Sequence, residues 1–187
     1  MVDVFVYNYK DIKLRFRPLF LILGFALLFW GCGGDDREYI ERRLNLSFNV
    51  PGGLNNIESH YFQIDDVPMF LNETLEINQL DTSSIDEIVG GSARLYSKIG
   101  GIDFSDIERI SVFAVSPENK EYRKEMFYQE QIPFTNISEI KLFNGLADFS
   151  EFIVDNKMDM EVRIKFRAFS SLSAKLDLDF SYLLFKK

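Results

Sequence analysis

The sequence predicts a mainly β protein: an antiparallel, immunoglobulin-like β-sandwich of about seven strands with one or two short helices, preceded by an N-terminal signal helix. Three observations predict it. Apolar and polar residues alternate with period two through several stretches, the pattern of strands with one buried and one wet face. Breaks rich in Pro, Gly and Asp separate those stretches at intervals of about a dozen residues. Hydrophobic residues make up 47% of the chain, with 19 Phe and 8 Tyr, enough to build a core and to exclude a disordered chain. A barrel is the alternative closure of the same strands.

The first strand is read from Leu44, Leu46, Phe48 and Val50, which alternate with Asn45, Ser47 and Asn49 until Pro51-Gly52-Gly53 stops it. Ile57 to Ile64 is the second, ended by Asp65-Asp66 and Pro68. Between Pro68 and Ile77, the spacing of Phe70, Leu71, Thr74 and Leu75 predicts a short helix. Ala93, Leu95, Ser97 and Ile99 form a strand closed by Gly100-Gly101. The stretch from Asp103 to Arg109 reads as a turn or a single helical turn capped by Asp106, leading into a strand from Ile110 to Val115.

Met126, Tyr128, Glu130 and Ile132 alternate up to Pro133, and Leu142-Phe143 begins another short strand. Leu146, Phe149, Phe152 and Ile153 recur at helical spacing and predict a second short helix. The clearest alternation comes last: Met158, Met160, Val162, Ile164 and Phe166 interleave with Asp159, Glu161, Arg163 and Lys165. Ala174, Leu176, Leu178, Phe180, Tyr182 and Leu184 repeat that pattern as the expected partner strand, joined through Ser170 to Ser173 by a hairpin or a sandwich crossover. The doublets Gly52-Gly53, Gly90-Gly91 and Gly100-Gly101 read as turns, and none forms a dinucleotide fingerprint or a P-loop. There is no internal repeat and no low-complexity tract.

A chain of 187 residues has room for one domain plus a terminal extension, at roughly 150 residues per domain. The formal charge of −8 and a sequence pI near 4.8 argue against nucleic acid as a partner, because phosphate contacts need clustered Lys and Arg.

Pro18 to Gly31 is a run of 14 uncharged residues behind Lys10, Lys13, Arg15 and Arg17. Basic then apolar is the order of a signal peptide, and the run falls short of the roughly 20 residues that span a bilayer. The one cysteine, Cys32, follows directly and has no partner for an internal disulfide. Leu28-Phe29-Trp30-Gly31-Cys32 resembles the lipobox of bacterial lipoproteins, a resemblance confined to about the first 36 residues. It implies that the Cys32 thiol receives a diacylglycerol and that a peptidase cuts between Gly31 and Cys32. Phe29 and Trp30 are bulkier than the residues that family prefers at those positions.

Such an anchor is strong because each buried methylene contributes about 0.8 kcal/mol and two or more acyl chains hold where one is marginal. Behind the cysteine, Asp35 and Asp36 in Gly33-Gly34-Asp35-Asp36 resemble the acidic export tag of some outer-membrane lipoproteins, or serve as a solvated tether. The resemblance implies a protein lipid-anchored at the outer membrane of a Gram-negative bacterium, periplasmic or surface-exposed. The organisation read from the chain is a signal peptide over 1–31, a flexible acidic tether over 32–41 and a β-sandwich domain over 42–187. Residues 1–31 carry four of the 21 basic and two of the 29 acidic side chains, so the remainder has a formal charge of −10. That surface repels anionic headgroups and leaves membrane association to the acyl chains.

His60 is the only histidine, so a Ser-His-Asp or Cys-His arrangement has to use it. Flanked by Tyr61 and Phe62 in a strand, it reads as a partly buried structural residue, and no catalytic residue is assigned. A zinc site needs clustered His and Cys, so no metal and no cofactor is expected. The acid pairs Asp65/Asp66, Asp103/Asp106 and Asp177/Asp179 lack the loop grammar of a calcium site. Asp177 and Asp179 share the solvent face of one strand. Asn45, Asn72 and Asn136 sit in N-x-S/T triplets, which a bacterial lipoprotein does not glycosylate by default. The aromatic residues are frequent enough to line a sugar or peptide groove, but most alternate with polar residues and read as core; exposure of Tyr122, Phe127 or Tyr128 would change that reading. The expected function is a non-enzymatic cell-envelope lipoprotein whose domain binds a protein or glycan. The alternatives are a small lipid-anchored hydrolase using paired carboxylates, and an accessory subunit of an outer-membrane transport or assembly complex.

Overall fold

Eight strands follow one another in the computed structural model, which describes residues 37–97, 104–135, 137–170 and 173–187. They are β1 (Tyr39–Val50), β2 (Ser59–Pro68), β3 (Ile85–Tyr96), β4 (Ile107–Val115), β5 (Arg123–Gln129), β6 (Glu139–Asn144), β7 (Lys157–Phe166) and β8 (Ala174–Lys186). One helix, α1 (Leu71–Ile77), and short 3-10 turns at Thr82–Ser84, Phe104–Asp106 and Ser150–Phe152 complete the described structure. The signal helix, Gly31, Cys32, Asp35, Asp36, Gly100-Gly101, Asp103 and Asn136 lie outside the described residues.

Every ladder is antiparallel, and the strands form one sheet in the order β1-β8-β3-β6-β5-β4-β7-β2. The sheet curls until its two outer strands, β1 and β2, face each other, so the domain is a barrel closed everywhere except at that seam. Where the sequence predicts two sheets packed as a sandwich, the pairs Phe127↔Asn144 and Tyr128↔Phe143 between β5 and β6 join the two halves into one. Closure leaves edges at only one place, which limits the exposed backbone able to pair with another chain.

The inner faces follow the alternation. On β7, Met158, Met160, Val162, Ile164 and Phe166 are buried, as are Leu176, Leu178, Phe180, Tyr182 and Leu184 on β8. Those two strands are not partners: β7 lies between β4 and β2, and β8 between β1 and β3. The link through Ser170 is therefore a crossover, since alternation specifies which face a strand buries and leaves its neighbours open.

β3 begins at Ile85, eight residues before the predicted start at Ala93, and Gly90-Gly91 lie within it instead of making a turn. A Cβ on Gly90 would stand 2.8 Å from the Met126 carbonyl oxygen and 2.8 Å from the Phe127 ring, so glycine is what lets β5 and its buried phenylalanine approach β3 there. The β3–β8 register shifts between Gly90 and Ala93. By contrast Gly53, with φ of 87°, sits in the predicted turn after β1.

The helix predicted over Leu146 to Ile153 is reduced to the single 3-10 turn at Ser150–Phe152. Two of its periodic residues, Phe149 and Phe152, instead plug the lower end of the barrel, where β6 has ended, with Ile153 packed beside the core and Leu146 exposed. Gly145 N–H donates to the Met126 carbonyl at 2.7 Å, Phe149 N–H to Ile88 at 2.9 Å, and Ile88 N–H to the Asp148 carboxylate at 3.0 Å. Phe149 and Phe152 are buried beneath them. The apolar spacing thus marks a buried segment, satisfied by β3 and β5 rather than by its own helical hydrogen bonds.

Candidate functional site

Among the described residues, one end of the barrel gathers exposed apolar side chains over tied loops, and the β1–β2 seam sets an unsatisfied charged group beside a cleft. The first is the end where β1, β5 and β7 finish. Arg167, just past β7, gathers the loops there. Its guanidinium donates to the carbonyls of Ser105 at 2.7 Å, Ile107 at 2.6 Å and Ile132, and lies 4.0 Å from the centroid of the Phe134 ring. Its own carbonyl accepts from Asn56 Nδ2 at 2.9 Å. Lys165 Nζ adds bonds to the carbonyls of Asn56, at 2.8 Å, and Ile57.

The β1–β2, β5–β6 and β7–β8 loops are thereby held together. Each carries one large apolar side chain to the solvent: Ile57 at 86% exposure, Phe134 at 83% and Phe169 at 62%. Rigid backbone beneath exposed apolar groups lowers the ordering cost of binding and is the composition of an interaction surface.

The second place is the β1–β2 seam. Its upper part is closed by the rings of Phe48 and Phe62, 5.7 Å apart. Its lower part opens because β2 bulges at Asp65-Asp66, where the pairing with β7 jumps from Ile64 to Val67 and Asp66 takes φ of 57°. β7 draws the bulge away from β1: Asp66 N–H donates to Asp159 at 2.9 Å, and Lys120 Nζ bridges Asp159 and Asp65, the latter at 3.3 Å. Lys157 reaches Asp66 at 3.2 Å. The resulting cleft encloses about 320 Å³ and has Leu44, Leu46, Ile64, Val67 and Phe180 among its walls.

Arg42 lines this cleft. It pairs with Tyr182 across the β1–β8 ladder, so it points to the inner face with the core residues. Its Nε is shut off from solvent and makes no hydrogen bond, and its guanidinium lies 5.3 Å from the centroid of the Phe70 ring. The carboxyl of Glu73 is held below its usual range by hydrogen bonds from its own backbone N–H and from Asn156, the Arg42 charge being a smaller cause. Burial pushes the Tyr182 phenol above its usual value of 10.0, with the Arg42 charge pulling the other way.

Phe70 is fixed where it stands. It takes φ of 53°, a left-handed conformation that costs a bulky residue about 1 kcal/mol or more. Asn156, itself at φ of 66°, holds it there: its side-chain oxygen accepts from the N–H groups of Leu71 and of Asn72, the latter at 3.1 Å, and its carbonyl from Met69 at 2.9 Å. Tyr182 Oη donates to the Met69 carbonyl at 2.7 Å from the other side. α1 begins immediately after this clamp.

The remaining sequence candidates fall outside both places or at their margins. His60 points inward, 5.8 Å from the Phe166 ring, with Nε2 at 2.8 Å from the Asn55 carbonyl. Asp65 and Asp66 meet lysines at the cleft mouth. Asp177 and Asp179 do share the outer face of β8, but Asp177 is only 2% exposed and accepts from Ser47 at 2.5 Å, so it is not a solvated charge. Asp179 pairs with Arg94 at 2.9 Å. Of the aromatic trio, Phe127 is buried, Tyr128 is half-buried against Phe143, and Tyr122 is exposed with its hydroxyl donating to Glu151 at 2.7 Å.

Among the described residues no group of three or more His, Cys, Asp or Glu is placed to hold a metal ion. Sequence reasoning missed Arg42, Phe70 and Arg167. For Arg42 the signal was present: extending the Leu44, Leu46, Phe48, Val50 series backward by two puts an arginine at an inward position.

These features define a small antiparallel β-barrel domain with one tied loop end and one open seam. No family model matches the chain, and no curated protein matches it in sequence.

Proposed function

We propose that this is a cell-envelope lipoprotein, attached through acylated Cys32 to the outer membrane of a Gram-negative bacterium, whose β domain binds a protein or glycan partner and catalyses no reaction. The observation that carries this reading is the order of residues from Pro18 to Asp36: a charge-free run, a glycine, the one cysteine, then a short glycine-rich acidic stretch. Chain connectivity supports it. β1 starts at Tyr39, at the end of the barrel opposite Ile57, Phe134 and Phe169.

Growth with labelled palmitate tests the anchor. Label enters the wild-type protein and is absent from Cys32→Ala; label persisting in the variant overturns the reading. Proteolysis of intact cells then reports whether the domain faces outward, and loss of partner capture in an Ile57→Ser, Phe134→Ser double variant locates binding at the loop end.

A further inference from the structure

We propose that the cleft in the β1–β2 seam is a binding site for a small apolar monocarboxylate, whose carboxylate pairs with the Arg42 guanidinium while its apolar body lies against Leu44, Leu46, Ile64 and Val67. This goes beyond the anchoring and partner-binding reading and does not depend on it.

Three features converge on this assignment. An inward-facing arginine among core residues carries a buried Nε with no hydrogen bond, although buried donors are almost always paired and a bare one costs free energy. Arg167 has three carbonyls within its reach, and Arg163, whose Nε is also bare, has the Tyr61 and Phe113 rings against it and Glu161 at 3.7 Å. Arg42 instead has a ring on one side and the cleft on the other. A guanidinium presents paired N–H donors in a planar fork that matches a carboxylate, so the chemistry of the group selects the anion.

The second feature is the effort invested in the floor. Phe70 is held in a left-handed conformation by Asn156, and its segment is pinned again by Tyr182. Strain of this kind is retained where the surrounding structure over-determines it, typically beside a ligand. The third is size and charge. About 320 Å³ accommodates roughly ten water-sized groups, small for a peptide or an oligosaccharide and suited to a short aliphatic or aromatic acid. Asp65 and Asp66 at the mouth are both engaged by lysines, and Glu73, the nearby carboxylate that feels the Arg42 charge, is hydrogen-bonded by Asn156, so the guanidinium fork is left for a carboxylate of the ligand while these acids disfavour a second negative charge on it.

Phenylacetate and its uncharged amide, phenylacetamide, are suitable probes, because each has ten non-hydrogen atoms, about what the cleft holds. The full-length protein is titrated while the methyl resonances of Leu44, Leu46, Ile64 and Val67 are followed by NMR. Phenylacetate is expected to shift them saturably in the millimolar range usual for a ligand of that size. Phenylacetamide should bind at least tenfold more weakly, as should phenylacetate to Arg42→Gln, because each pairing lacks one charge. Arg42→Lys should fall between, and Arg109→Gln, which alters a surface pair with Glu130, should match the wild type within twofold. Equal binding of acid and amide, unchanged binding by Arg42→Gln with a native methyl spectrum, or the absence of any saturable shift overturns the proposal. The acid–amide comparison stands even if Arg42→Gln fails to fold.

Discussion

Arg167 and Arg42 are the same residue type in opposite circumstances, and the contrast separates the two ends of the domain. Arg167 sits among four loops with carbonyl acceptors and an aromatic ring disposed around it, so its charge organises backbone that has no regular ladder to join. Arg42 sits on a strand whose backbone is already paired with β8, and its Nε has nothing to bond. One guanidinium closes structure; the other faces a gap that the β2 bulge keeps open. What this teaches is that an arginine's role is read from its acceptors together with the space beside it: Arg163 also has a bare Nε, but Glu161 stands 3.7 Å from its guanidinium, whereas Arg42 borders the cleft.

The largest expected effect is at Arg167. Replacing it with Ala leaves the carbonyls of Ser105, Ile107 and Ile132 without their charged donor and frees Phe134, and should lower unfolding free energy by about 2–4 kcal/mol. Urea denaturation measures it, and a loss under about 1 kcal/mol would break the comparison by showing the loops are held by other means.

An intermediate effect is expected at Asp148, the carboxylate that plays the tying role at the lower end. Burial raises its pKa, but hydrogen bonds from Ile88 N–H, Ser150 N–H and the Ser150 hydroxyl outweigh burial and hold it below the usual 3.8. A group with a depressed folded-state pKa adds stability above its unfolded pKa, and that stability disappears as pH falls through the lower folded value. Unfolding free energy should therefore drop between about pH 5 and pH 2, with a shallower slope in Asp148→Asn; parallel slopes in both proteins would show that other acids govern the acid limb.

The smallest effect is expected at Arg42. Arg42→Met keeps the stem of the side chain out to about the Nε position and removes an unpaired donor, so the unfolding free energy from urea denaturation should change by no more than about 0.5 kcal/mol, in either direction. A loss as large as that of Arg167→Ala would assign both arginines the same structural role.

Much of the domain is legible in the sequence. The inward residues of β1, β7 and β8 are those the alternation selects, because a pleated strand places every second side chain on the same face whatever it pairs with. α1 and the turn at Phe104–Asp106 were legible for a similar local reason. The first half of β3 was not: Gly90-Gly91 has the composition of a turn, and only the approach of Met126 and Phe127 explains glycine in mid-strand. Leu146 to Ile153 carried helical spacing and formed one short turn, since its backbone bonds were taken by β3 and β5. Of the candidate site, Arg42 stood in a readable position, whereas Phe70 and Asn156, 86 residues apart, are joined only by the fold.

By itself, then, the sequence determined which side chains face inward, where most strands and turns fall, and that one thiol stands directly between a charge-free run and an acidic stretch; these depend on neighbours within a few residues. The tertiary structure alone decided that the two halves join through β5 and β6 into one nearly closed sheet, that β7 and β8 part to opposite sides of it, and that β1 and β2 meet as open edges around Arg42. Those outcomes rest on pairings between residues far apart in the chain, and a period-two pattern is satisfied equally well by many partners, so closure is settled by which register buries the whole core at once.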